Sequence, residues 1–178
     1  MESIRSRVQL YPLPASTGSP QRMFFTTDIA SFLECRHLLT LKGEEAAGRI
    51  QKPFFRDLGI DLLRELGNRH ETAYLRHLNE TRGPIFSISA DLPWPEAVAS
   101  TDEAIRSGAD VIYQATFQEG SWGGRADFLI RVDKPSKLGP FSYEVVETKL
   151  AKSARVRAIL QLCFYSALLG NIQGGQPE

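Results

Sequence analysis

The chain has 178 residues, with 21 Lys+Arg against 21 Asp+Glu, 42% hydrophobic residues and two cysteines. That length suits one domain with a core of its own, two cysteines exclude a disulfide scaffold and a four-thiolate metal site, and zero formal charge excludes a grip on nucleic acid by bulk positive charge. No apolar run approaches the ~20 residues of a bilayer-spanning helix, and residues 1–7 lack the basic-then-apolar shape of a secretion signal, so the expectation is a soluble, cytoplasmic domain with no membrane partner.

Residues 1–22 read as an N-terminal arm, with Pro12, Pro14 and Pro20 and a Ser-Thr-Gly-Ser turn cluster. Thr26 or Thr27 then caps a helix to about Leu41, with Ile29, Phe32, Leu33, Leu38 and Leu41 as its apolar face. A second helix is expected from about Phe54 to Asn79. Its stripe, Leu58, Leu62, Leu66, His70, Tyr74 and Leu78, keeps a spacing of four, and Gly83-Pro84 ends it. Residues 84–100, with three prolines, read as an irregular surface excursion, followed by a short helix near 101–107 that Gly108 stops. Asp110 to Gln118 is the densest strand signal. Glu119-Gly120 is a turn, Trp122 to Val132 a partner strand, and Phe141 to Lys149 a third strand. A last helix runs from about Ala154 to Leu169. Helices, a meander and a helix predict an α/β domain over residues 23–170, with a central mixed sheet of about four strands flanked by helices. Residues 171–178 read as a linker or the start of a further element, as in the front portion of a longer protein.

Candidate chemistry is thinly spread. Glu147 and Lys149 lie two apart, on one face of a strand, though Glu34-x-Arg36 and Glu80-x-Arg82 show how readily that spacing arises. The plain reading is a surface ion pair. Asp127, on the preceding strand beside Leu129, adds a second carboxylate, and two carboxylates converging make a site for a hard divalent cation. His70 sits in the apolar stripe of the second helix and so faces the protein, either as a core histidine or as a ligand, in competition with Glu71. Gln161 and Tyr165 share a helix face at i,i+4. Lys149, Lys152, Arg155 and Arg157 fall within nine acid-free residues that lead into a helix N-terminus, a favourable place for a phosphate.

Gly67-x-x-His70-Glu71, Gly124-Arg125-Ala126-Asp127, Glu147-Thr148-Lys149 and Gln161-x-x-x-Tyr165 together resemble, in order and spacing, the RecB-like branch of the PD-(D/E)XK nuclease superfamily. Ser31 to Leu41 is similar to the helix that opens that domain. The resemblance covers about five-sixths of the chain and is closest to bacterial RecB-family nucleases that often precede a helicase in one polypeptide. It implies a restriction-endonuclease-like fold and a Mg²⁺- or Mn²⁺-dependent nuclease, an exonuclease acting on DNA in repair, recombination or defence. It further implies that His70, Asp127, Glu147 and the Thr148 carbonyl hold the metal. Lys149 would position or deprotonate water, while Gln161 and Tyr165 would orient the lysine or hold the scissile strand, helped in binding DNA by Lys152, Arg155 and Arg157. Iron–sulfur members carry one early cysteine and three after the Gln-x-x-x-Tyr helix. Cys35 is near the first position, but Cys163 lies inside that helix and no trio follows, so no cluster is expected. The alternative reading is a catalytically weak nucleic-acid-binding or docking module of a larger helicase-nuclease. An ATP-driven motor is disfavoured because the chain has no Gly-x-x-x-x-Gly-Lys-[Ser/Thr] loop.

Overall fold

The computed structural model describes residues 22–53, 57–151 and 155–177. The expected arm therefore lies almost wholly outside the described residues. The β-branched and aromatic run before Glu119-Gly120 forms the middle of the sheet: β3 (Val111–Glu119) pairs antiparallel with β4 (Trp122–Val132), and Gly120 supplies the turn at φ +57°. On the far side of β3 lies the parallel strand β2 (Ile85–Ser87). Two strands share the other edge of β4. The parallel β1 (Phe24–Phe25) takes its start at Trp122 and Gly123, and the antiparallel β5 (Ser142–Val146) takes its end, from Phe128 to Val132. Neither pairs with residues 124–127, which form a gap in the sheet edge. The chain is thus an α/β protein with a mixed five-stranded sheet flanked by helices.

One face of the sheet carries α4 (Trp94–Ser107) and α5 (Val156–Gln173). Ala97, Ala104, Ile105, Tyr165, Leu168 and Leu169 close there on Ile112, Ala115, Phe117, Ala126, Leu129 and Tyr143. The other face receives α3 (Leu58–Arg82), whose Tyr74, Leu75 and Leu78 meet Val111, Phe128 and Ile130. In β3 the residues reaching the first core are Ile112, then Ala115 and Phe117; in β4 they are Leu129, then Ala126. Strict alternation would keep one parity along each strand. It slips in both strands at Gln114 and Asp127, the one pair missing from the register, and Gln114 has the left-handed φ of +59°.

Several expectations change. The first helix is two, α1 (Thr26–Glu34) and α2 (Arg36–Ala46), because Cys35 is extended at φ −161°. Its apolar face points outward. Phe32, Leu33, Leu38 and Leu41 are exposed, whereas Thr26, Asp28, Ala30 and Ser31 are buried. The buried Asp28 decides this: it accepts from Phe25 N at 3.1 Å and pairs with Arg22 and Lys42 at 3.1 and 3.2 Å, so the polar face is the anchored one. α3 starts where Asp57 caps Gly59 N and Ile60 N, and Phe54 lies outside the described residues. The stretch 84–100 is not irregular: it holds β2 and the first half of α4. Pro95 sits in the first turn of α4, where a missing N–H leaves no helical bond unmade. β5 ends at Val146, so Glu147 to Lys149 follow the strand. α5 runs on through Gln173, so residues 171–173 are helix. The buried Gln173 amide accepts from Tyr143 N at 2.8 Å and donates to Tyr143 O at 3.2 Å, extending the edge of β5 as a strand would. Among the described residues no helix is long and apolar enough to cross a membrane.

Candidate active site

The gap in the edge of β4 is where the charged residues meet. Leaving β5, the chain turns so that Thr148 donates its N–H and its hydroxyl to Asp127 Oδ2, at 2.9 and 3.2 Å. This brings Glu147 back against β4, where Asp127 N donates to Glu147 Oε1 at 3.3 Å. Lys149 Nζ donates to Glu147 Oε2 at 2.8 Å and stands 3.7 Å from Asp127 Oδ2. The Glu147 side chain is 2% exposed, that of Asp127 15% and that of Lys149 42%. Burial raises the Glu147 carboxyl above the ordinary range, the Asp127 charge adds to this, and Lys149 only partly offsets it. Burial pulls Lys149 down, but the Glu147 hydrogen bond and the charges of Glu147 and Asp127 hold its ammonium above the usual lysine value.

Tyr165 closes the gap from α5. Gly124 makes room for it: a Cβ there would overlap Tyr165 Cε1 and lie 3.2 Å from Cζ and Oη. The phenol is buried and shares a hydrogen bond with Thr26 Oγ1 at 3.3 Å. Burial and the Glu147 charge raise it, opposed by hydrogen bonds to Thr26, Gln161 and the Arg125 backbone N–H. Gln161, Tyr165, Asp127, Glu147, Thr148 and Lys149 are therefore brought together. Thr26, which orients the tyrosine from a residue 139 positions earlier, carried no signal in the sequence beyond its value as a helix cap.

His70 is not brought to them. It is exposed, and its neighbour Glu71 turns to the sheet, accepting from Tyr113 Oη and Gln114 Nε2, both at 2.7 Å. Burial first, then Glu71, raises the Tyr113 phenol to about 12. The reason is angular. At about 100° per residue, a strict spacing of four winds about 40° per step, so a stripe anchored at Leu78 has turned roughly 80° at His70 and 200° at Leu58. Glu71, seven before Leu78, is only about 20° off. Seven-residue spacing from the buried leucine is the signal that would have selected it. Nothing in the sequence marked Gln114, since a left-handed glutamine has no composition cue.

Among the described residues, no three His, Cys, Asp or Glu side chains gather as a metal cluster. The expected set of His70 with Asp127 and Glu147 is not assembled. The remaining pair still fits a hard cation: Mg²⁺ is commonly held by one or two carboxylates and keeps several waters. Two adjacent carboxylates, one raised by burial and by the other's charge, are a donor set that such an ion would relieve. The basic run is only partly placed. Lys152 lies outside the described residues, Arg155 is exposed at the start of α5, and Arg157 is engaged by Glu34 Oε1 at 2.8 Å. Cys35 and Cys163 are free and exposed.

Comparisons with protein-family models, with curated proteins and with solved structures gave no significant match.

Proposed function

We propose that this chain is a metal-dependent nuclease of restriction-endonuclease-like fold that hydrolyses phosphodiester bonds of DNA. The observation that carries the reading is the meeting of Asp127, Glu147 and Lys149 in the uncovered edge of β4, with Tyr165 packed against them. Asp127 and Glu147, with the Thr148 carbonyl, would hold Mg²⁺ or Mn²⁺. Such an ion supplies a hydroxide-like water near neutral pH and polarises the phosphoryl oxygen.

The chain's own groups do the rest. The attraction of both carboxylates holds the Lys149 ammonium above the usual lysine value, and a protonated Lys149 beside the metal would stabilise negative charge growing on the phosphoryl oxygens. Thr148 fixes the rotamer of Asp127 by two hydrogen bonds, and the Asp127 N–H fixes Glu147. Thr26 holds the Tyr165 hydroxyl, which presents a fixed dipole beside Glu147.

The test is cleavage of labelled linear and circular, single- and double-stranded DNA with Mn²⁺ or Mg²⁺. Asp127→Ala and Lys149→Ala are each expected to lower the rate on the order of 10²–10³-fold or more while remaining folded. An unchanged rate in either variant removes the assignment. The second reading, a nucleic-acid-binding module without turnover, is favoured by the exposure of His70 and the two-carboxylate set. Binding without metal-dependent cleavage on every substrate would select it.

A further inference from the structure

Three of the described arginines are partly buried: Arg22, Arg125 and Arg131. Arg22 has Asp28 at 3.1 Å and Arg131 has Asp110 at 3.3 Å, but no described carboxylate lies within ion-pair distance of Arg125. Its Nε donates to the neutral Thr116 Oγ1 at 3.1 Å, and its Cζ stands 5.8 Å from the centre of the Trp94 ring. That leaves both Nη groups, with four N–H donors, without a partner among the described residues. A partly desolvated guanidinium without a counter-charge is costly, and one placed on an indole face is held in a chosen direction rather than left to solvent.

Its place explains the cost. Arg125 lies in the stretch of β4 that no edge strand pairs with, two residues and about 7 Å of strand before Asp127. Thr116 in turn donates to the carbonyl of Gln114, whose amide is held by Glu71, so the guanidinium hangs from a fixed polar chain along β3. Adjacent phosphates on a nucleic-acid strand are separated by about this same distance. We infer that Arg125 is a phosphate-binding residue, taking the nucleic-acid phosphate next to the one at Asp127 and Glu147, with Trp94 and Thr116 as the groups that aim it. This rests on the nucleic-acid reading above but not on turnover.

The experiment measures binding of short labelled single- and double-stranded DNA across a salt series, with Ca²⁺ as the metal. Arg125→Gln is expected to weaken binding roughly tenfold or more, as for loss of a charged hydrogen bond. It should also flatten the slope of log K against log salt by about 0.7 on a single strand or 0.9 on a duplex, one phosphate's worth. Arg125→Lys should restore the slope. An unchanged slope in Arg125→Gln, or the same loss in both variants, overturns the inference. If Arg125→Gln does not fold, phenylglyoxal labelling of the wild-type chain replaces it. Bound DNA should slow modification at Arg125, and equal labelling with and without DNA overturns the inference. The two readings fail separately. A chain that binds through Arg125 and never cleaves sinks the nuclease, and a nuclease whose salt slope ignores Arg125 sinks only this subsite.

Discussion

Replacing Gly124 with alanine tests the packing that brings Tyr165 to the carboxylates. Gly124 is outside the left-handed region, so its backbone accepts an alanine. On that ground alone the substitution would stabilise the protein by about 0.4–1 kcal/mol through the unfolded chain. The structure reverses the sign. The new methyl falls on Tyr165 Cε1, and the ring cannot retreat, because it is 3% exposed and lies between Phe117 and Phe164, with centroids 6.4 and 5.7 Å away. Overpacking of this kind costs about 1–3 kcal/mol. The net loss centres on about 1.3 kcal/mol, or about 3–5 °C in Tm for a chain of this size. Thermal and urea unfolding should be followed for Gly124→Ala, for Tyr165→Leu and for the double variant. With the ring removed, Gly124→Ala should cost nothing or stabilise slightly, giving a coupling near the full penalty. Equal losses in both backgrounds, or a raised Tm in the single variant, would refute the claim that Gly124 exists to seat the tyrosine.

Other outcomes follow from the same geometry. His70→Ala should leave Mn²⁺ affinity and cleavage within about twofold of the parent, as for an exposed position, whereas Glu71→Ala, which frees Tyr113 and Gln114 opposite Asp127, should lower both; the reverse order would restore the histidine as ligand. Tyr143, buried and donating to Ala109 O at 2.7 Å, has its phenol pushed up to about 12, chiefly by burial. Its contribution to stability is intact below the unfolded value of about 10 and is lost as pH rises through about 12. Unfolding free energy should therefore fall more steeply between those pH values in the wild type than in Tyr143→Phe, and parallel curves would count against it. Gly108→Ala should lower Tm by about 2–4 °C. It forces a side chain to φ +74°, at a cost of at least about 1 kcal/mol, with Phe141 Cζ 3.3 Å from the new methyl. A Tm equal to the parent's would mean that the helix end had relaxed.

Local pattern carried a good deal of this. Alternating β-branched and aromatic residues around Glu119-Gly120 marked β3 and β4 to within a residue, and Gly83, Gly108 and the turn glycine closed their elements as glycines do. β1 and β2 left no such mark. At two and three residues, each exists only because a longer strand offers it an edge. The proximity of Glu147 and Lys149 was legible at spacing two, even though they lie past the strand end. Which residue of α3 meets the sheet was not, because a spacing of four drifts around a helix and placed His70 on the inward stripe while leaving Glu71 only as its competitor.

The order of the charged residues along the chain, and the pairing of β3 with β4, were determined by the sequence through spacing and backbone preference, which act between near neighbours. What the tertiary structure alone decided is which side chains share an edge. Asp28 anchors α1 by its polar face, Glu34 claims Arg157 from 123 residues away, and the slip at Gln114 sets Asp127 between two cores. Each depends on elements that are close only after the sheet has formed, and no local propensity encodes such distances.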